Sequence, residues 1–201
     1  MTSVLAAYHR LITAGELRAD PEQAVAAQRL ADLAIALEAT PKRGSILWRA
    51  LGRKPEPPRG VYLWGGVGRG KSMLMDLFFS CLAIPLKRRV HFGEFMLEVH
   101  QRLAVERAKE LGDPIPPLAK AIAEETRLLA FDEMMVTNSP DAMILSRLFT
   151  HLLAEGVTVV TTSNRPPADL YKNGLNREHF LPFIALIEAK MDVVALNGPT
   201  D

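Results

Sequence analysis

Apolar positions along the chain follow two different rhythms, and they change over near residue 60. Leu5, Tyr8, Leu11 and Ile12 recur at helical spacing, and Gly15 stops that run. Asp20-Pro21 then supplies a helix start: a side-chain acceptor at the N-cap, followed by a proline whose missing N–H costs nothing in the first turn. Ala26, Leu30, Leu33 and Leu37 form one apolar stripe beyond it. Residues 52–60 are proline-rich and charged, and read as a linker.

From Gly60 short apolar runs alternate with helical patterns. Strands are predicted at Val61–Trp64, Arg88–Phe92, Leu128–Phe131, Val157–Thr161 and Asp192–Leu196. Between them, a helix from Ser72 carries Leu74, Leu77, Phe78 and Cys81 on one face. A second runs from Phe95 to Leu111 and ends at Gly112 with a proline-rich loop over 113–117. A third, capped by Ser139-Pro140-Asp141, runs to Gly156, and a fourth precedes the last strand. Strands separated by helices give a parallel sheet covered on both faces. The expected fold is therefore α/β, a three-layer sandwich around a five-stranded parallel sheet. Residues 1–58 form an N-terminal helical segment and linker, and 59–201 form the core.

Composition narrows the class. The 201 residues are 48% hydrophobic and 23% charged, a globular mix that excludes a disordered tail or a collagen-like repeat. The 24 basic residues nearly balance the 23 acidic ones, for a net charge of +1, so the overall charge gives no reason to expect nucleic acid as a partner. One cysteine, Cys81, fits a reducing compartment. No apolar run reaches the ~20 residues of a membrane helix, and the N-terminus has no basic region followed by an apolar core and carries Glu16 and Asp20, unlike a targeting peptide, so the expected location is cytoplasmic.

Gly65-Gly66-Val67-Gly68-Arg69-Gly70-Lys71-Ser72 has the spacing of a phosphate-binding loop, and lies between an apolar strand and an amphipathic helix, as such a loop must. The glycines let successive backbone N–H groups turn inward on phosphate oxygens, and the following helix adds its positive end. Lys71 is expected to reach the β and γ phosphates of ATP, and the Ser72 hydroxyl to be a ligand for Mg²⁺.

About sixty residues on, Leu128–Phe131 ends in Asp132-Glu133. The C-terminal ends of parallel strands face the ligand crevice. There Asp132 would hold Mg²⁺, mainly through water, and Glu133 would deprotonate the attacking water. Asn164 follows the fourth strand and is expected to position that same water. Arg177 has two readings of equal weight: a finger reaching the γ-phosphate on a neighbouring subunit, or a surface arginine paired with Glu178 or a helix C-terminus.

Beyond these motifs, the stretches 59–80, 89–96, 128–149 and 162–184 resemble the ZapE family of cell-division ATPases, which groups with the AFG1-like ATPases. The similarity covers roughly residues 1–198; the segment Thr162–Arg177 is its most specific part. The resemblance implies an AAA+-type P-loop core, ATP and Mg²⁺ as cofactors, and a homo-oligomer with Arg177 acting in trans. It also implies coupling of hydrolysis to a protein partner, the tubulin-like division protein in bacterial members. It carries Gly65, Gly70, Lys71, Ser72, Asp132, Glu133 and Asn164 onto the family's nucleotide site. The chain departs from the family pattern at Gly93, usually His, and at Asn138 and Pro140, usually Asp and Ala. Family members also continue into a helical lid after the last strand. The sequence ends near where that lid would begin, which separates binding ATP from hydrolysing it.

The alternatives are therefore a nucleotide-binding module with little hydrolysis, or a helicase-loader-like protein that binds DNA. Lys87-Arg88-Arg89 reads as a solvated start to its strand. Met73, Met75, Met134 and Met135 read as core filler, and Cys81 as a buried thiol. His91 and Glu94 lack a third ligand for a metal.

Overall fold

The computed structural model describes residues 3–41, 56–109 and 112–198. Two helices, α1 (Val4–Thr13) and α2 (Pro21–Ala39), come first. The alternating part comprises β1 (Gly60–Trp64), α3 (Lys71–Cys81), β2 (Lys87–His91), α4 (Phe92–Ala108), α5 (Ile115–Glu125) and β3 (Leu128–Asp132). It continues with α6 (Ser139–Ala154), β4 (Thr158–Ser163), α7 (Leu181–Lys190) and β5 (Met191–Ala195). The strands pair in parallel in the order β2-β3-β4-β1-β5, so all five C-terminal ends share one rim of the sheet.

Successive residues of a strand face opposite sides of a sheet, and this alternation builds both cores. Val61, Leu63, Leu128, Ala130, Val160 and Val194 pack under α1, α2 and α3. Tyr62, Leu129, Phe131 and Val159 pack under α4 to α7. Phe131 is the aromatic hub of the second layer: its ring lies 5.6 Å from Phe92, 4.8 Å from Phe95 and 5.8 Å from Phe149. It anchors the strand end that carries Asp132.

The two N-terminal helices are part of the first layer, and α2 is tied at both ends. Asp20 Oδ1 accepts the Glu22 and Gln23 N–H groups, as its N-cap position predicts. At the other end the Arg127 guanidinium, just before β3, donates to the Leu37 and Thr40 carbonyls, two of the acceptors a helix leaves orphaned.

Four boundaries differ from expectation. The proline-rich stretch at 113–117 is the start of helix α5 rather than a loop: Pro116 and Pro117 sit in its first turn, and Ile115, Leu118 and Ile122 form its buried stripe. Phe92 opens α4 instead of closing β2, and α3 begins at Lys71. Asn138 caps α6, its side chain accepting the Asp141 N–H at 2.9 Å. Residues 52–55 of the proline-rich linker lie outside the described residues. No helix among the described residues is long and apolar enough to cross a membrane.

Candidate nucleotide site

The loop Gly65–Ser72 joins β1 to α3 at the C-terminal rim. Its glycines have separate causes. A Cβ on Gly65 would lie 2.1 Å from the Leu196 carbonyl oxygen, so no side chain fits there. Gly68 and Gly70 hold φ of +78° and +83°, where glycine is the residue without penalty. Gly70 is also the N-cap of α3 and contributes no capping side chain, so the first-turn N–H groups have no side-chain acceptor at that cap. Gly66 and Val67 complete the turn, with Val67 projecting into solvent. Lys71 is buried, its Nζ donating to the Gly65 and Gly66 carbonyls at 2.8 and 2.7 Å. Burial pushes its ammonium below the usual lysine value, and the Glu133 carboxylate opposes that shift. Glu133 and the phosphate loop therefore lie within electrostatic reach of each other. Ser72 is exposed at the head of α3.

Asp132 closes β3, and alternation turns it to the α3 side of the sheet. There Arg89 of β2 grips it, with Nε 2.7 Å from Oδ2 and Nη2 3.1 Å from Oδ1. The remaining nitrogen of Arg89 reaches Asp76 on α3. Ser72 and Asp132 are hard oxygen donors at one rim. Among the described residues no three His, Cys, Asp or Glu side chains gather into a protein-only cage. One carboxylate and one hydroxyl beside phosphates is a donor set that suits Mg²⁺, which keeps waters and shares substrate oxygens.

Glu133 has a left-handed backbone, φ +56°, uncommon for a residue with a Cβ. Strand β4 holds it there. The Glu133 N–H donates to Thr162 Oγ1 at 3.0 Å, the Met134 N–H to the Thr162 carbonyl at 2.7 Å, and Ser163 Oγ to the Met134 carbonyl at 2.9 Å. Asn164 follows directly, and Glu133 and Asn164 line one cavity of about 140 Å³ with Arg165 and Tyr171. On the α4 side, Asp132 and Glu133 also border an open cleft of about 670 Å³. Gly93, Asn138 and Pro140 all line it. Arg177 begins a short 3₁₀ turn and donates through Nη2 to the Ala168 carbonyl at 2.7 Å.

Sequence reasoning missed five residues here, three of them in one basic run. Lys87, Arg88 and Arg89 are each engaged rather than solvated: Lys87 donates to the Phe79 and Leu82 carbonyls, Arg88 to Glu98, and Arg89 to Asp132 and Asp76. The signal was available, since alternation sends Arg88 to the α4 side and Arg89 to the α3 side. Thr162 and Gln23 had no local signal, because their partners are far away in sequence. Met135 is exposed and Cys81 half-buried, unlike the core positions expected of them.

Comparison with known proteins places the chain. Its sequence matches the AFG1-like ATPase family over residues 1–201. It is 49% identical over 141 residues to lactation elevated protein 1 homolog B of Danio rerio, covering 66% of this chain and 28% of that protein. It is 40% identical over 162 residues to cell division protein ZapE of Escherichia coli, covering 81% of this chain and 38% of that one. The chain thus spans roughly a third of these relatives. In three dimensions it is similar to domain III of the Thermotoga maritima replication initiation protein DnaA. That match has a TM-score of 0.62 at 14% identity and covers 92% of this chain and 67% of the other, a likeness of fold alone. A P-loop joined to a strand-end carboxylate pair, on a sheet of this order, accords with a family match that runs the length of the sequence: the chain belongs to the AFG1-like ATPase family.

Proposed function

We propose that this chain is the ATP-hydrolysing core of an AAA+-type machine, with residues 59–201 as the core and the N-terminal helices packed upon it. The observation that carries this reading is Glu133: an exposed carboxylate held by β4 in a strained backbone, within electrostatic reach of Lys71 and sharing a cavity with Asn164. Strain of this kind persists where the surroundings over-determine it, and it clusters at reactive sites.

In this reading Lys71 exchanges the Gly65 and Gly66 carbonyls for β and γ phosphate oxygens, and the loop N–H groups take the rest of the phosphate charge. Ser72 and Asp132 would hold Mg²⁺, Asp132 mainly through water, and the ion would supply positive charge to the phosphates. Glu133 accepts the proton of the attacking water, a role worth roughly 10²–10⁴ in rate, and Asn164 orients that water. Arg177 acts on the γ-phosphate of a neighbouring copy. By analogy with the relative named for cell division, hydrolysis drives remodelling of a protein partner in the cytoplasm.

The test is phosphate release by the chain and its Glu133→Gln variant over a protein concentration series, with ATP binding measured for both and for Lys71→Ala. The reading expects Lys71→Ala to lose binding. Glu133→Gln should keep ATP while losing turnover, and wild-type activity should rise faster than concentration. Unchanged turnover in Glu133→Gln would remove Glu133 as the base, and strictly linear activity would remove Arg177 as a trans residue.

A further inference from the structure

The sheet order divides the neighbourhood of the phosphate loop. Strands β4 and β3, with Asn164, Asp132 and Glu133, lie on one side of β1, and β5 lies on the other. In the proposed site the γ-phosphate points to the carboxylates. The nucleoside end therefore leaves on the β5 side, where the first turn of α2 and the segment after β5 meet. The Gly198 N–H donates to Glu22 Oε2 at 2.6 Å, and Arg69 of the loop pairs with Asp20 at 3.5 Å.

Gln23 sits at this junction. Its place on α2 belongs to the buried stripe of Ala26, Ala27 and Leu30, and it is itself only 9% exposed. Its side-chain amide presses on the loop: Nε2 donates to the Arg69 carbonyl at 3.3 Å, and a Cβ on Gly70 would come within 2.9 Å of it. A carbonyl can only accept, so this bond fixes which end of the amide is which. The other end, Oε1, is a buried acceptor with no hydrogen-bond partner among the described residues. Such an atom is expensive to keep and needs an explanation. The bond to Arg69 uses only the donor end of the amide and leaves the acceptor end unexplained.

Resting on the nucleotide-site reading above, we propose that Gln23 is the base-reading residue: Oε1 accepts from the exocyclic amine of adenine. A guanine or hypoxanthine base presents a carbonyl oxygen at the same position, which sets acceptor against acceptor. The site thereby discriminates between purine nucleotides through a residue 46 positions before Arg69 in the chain.

Titration calorimetry with Mg-ATP and Mg-ITP on the wild-type chain and on Gln23→Leu tests this. ITP differs from ATP in carrying the carbonyl in place of the amine. The wild type should prefer ATP by about tenfold or more, the scale of a buried polar group left unmatched. Gln23→Leu should lose that preference, with ATP weakened and ITP nearly unchanged. Equal wild-type affinities for ATP and ITP overturn the proposal without any variant, and would mean that Oε1 meets a group common to both nucleotides. Equal losses of ATP and ITP in Gln23→Leu, with native circular dichroism, also overturn it and would leave Gln23 as a support for the loop. A wild-type chain that binds neither nucleotide overturns the parent reading instead.

Discussion

The left-handed backbone at Glu133 leads to an unusual expectation: removing the side chain stabilises the protein while it removes the proposed general base. A residue with a Cβ held at φ +56° pays roughly 1–2 kcal/mol for the close approach of Cβ to its own carbonyl. Glycine escapes that cost but gains freedom in the unfolded chain, worth about 0.4–1 kcal/mol against the fold. Glu133 is exposed, so truncating it forfeits little packing. The anchors that set its conformation are backbone groups, its own N–H on Thr162 Oγ1 and the Met134 N–H on the Thr162 carbonyl, and both survive the substitution. Glu133→Gly should therefore be more stable than wild type by about 0.5–1 kcal/mol. For a chain of this size that raises the melting temperature by roughly 2–3 °C. Glu133→Gln keeps the Cβ and should stay within about 0.5 kcal/mol of wild type. Urea unfolding followed by circular dichroism, with thermal melts beside it, separates the three proteins. Both variants should lose turnover by roughly 10²–10⁴ if Glu133 is the base. A Glu133→Gly protein less stable than Glu133→Gln would refute the reasoning, because the left-handed backbone would then carry no strain for glycine to release.

Three further substitutions probe the supports of the site. Thr162→Val is near-isosteric but leaves the Glu133 N–H without its acceptor. It should cost about 1–3 kcal/mol in urea unfolding and reduce kcat more than nucleotide affinity. Gly65→Ala puts a methyl 2.1 Å from the Leu196 carbonyl oxygen, which cannot rotate away as a side chain would. It should destabilise by about 1–3 kcal/mol and abolish nucleotide binding, read by calorimetry. Glu98 lies between Arg88 and Arg102, and the hydrogen bond from Arg88 holds its carboxyl below the usual glutamate value. A depressed folded value means that its contribution is present at neutral pH and lost as pH falls through that value. Glu98→Gln should thus unfold at lower urea than wild type at pH 7, and the gap should narrow below about pH 4.

The parts of the fold legible in the sequence were those written in local periodicity. The five strands, the β1–α3 loop Gly65–Ser72 and the strand-end position of Asp132-Glu133 all depend on residues near one another, and the structure has them within a few positions of expectation. Helix α5 was obscured because Pro116 and Pro117 resemble a loop signal, although Ile115, Leu118 and Ile122 keep the helical spacing. Arg89 was misread for a different reason. A run of three basic residues looks solvated when counted as charge, yet on a strand it splits between the faces and meets an acid on each. Thr162 and Gln23 were invisible because their meaning lies 29 and 46 residues away.

In the proposed site, the same long-range ties would let one loop serve two ends of a nucleotide. On the β4 side, Thr162 and Ser163 set the backbone of Glu133 and Met134, so the hydrolytic end is shaped by one strand bracing its neighbour. On the β5 side, α2 is pinned at Asp20 and Gln23 against Arg69, and at its far end by Arg127, which immediately precedes β3. Helix α2 thus runs from the loop Gly65–Ser72 to the residue that precedes the strand carrying Asp132. Arg89, gripping Asp132 from β2 and Asp76 from α3, ties the other end of that strand.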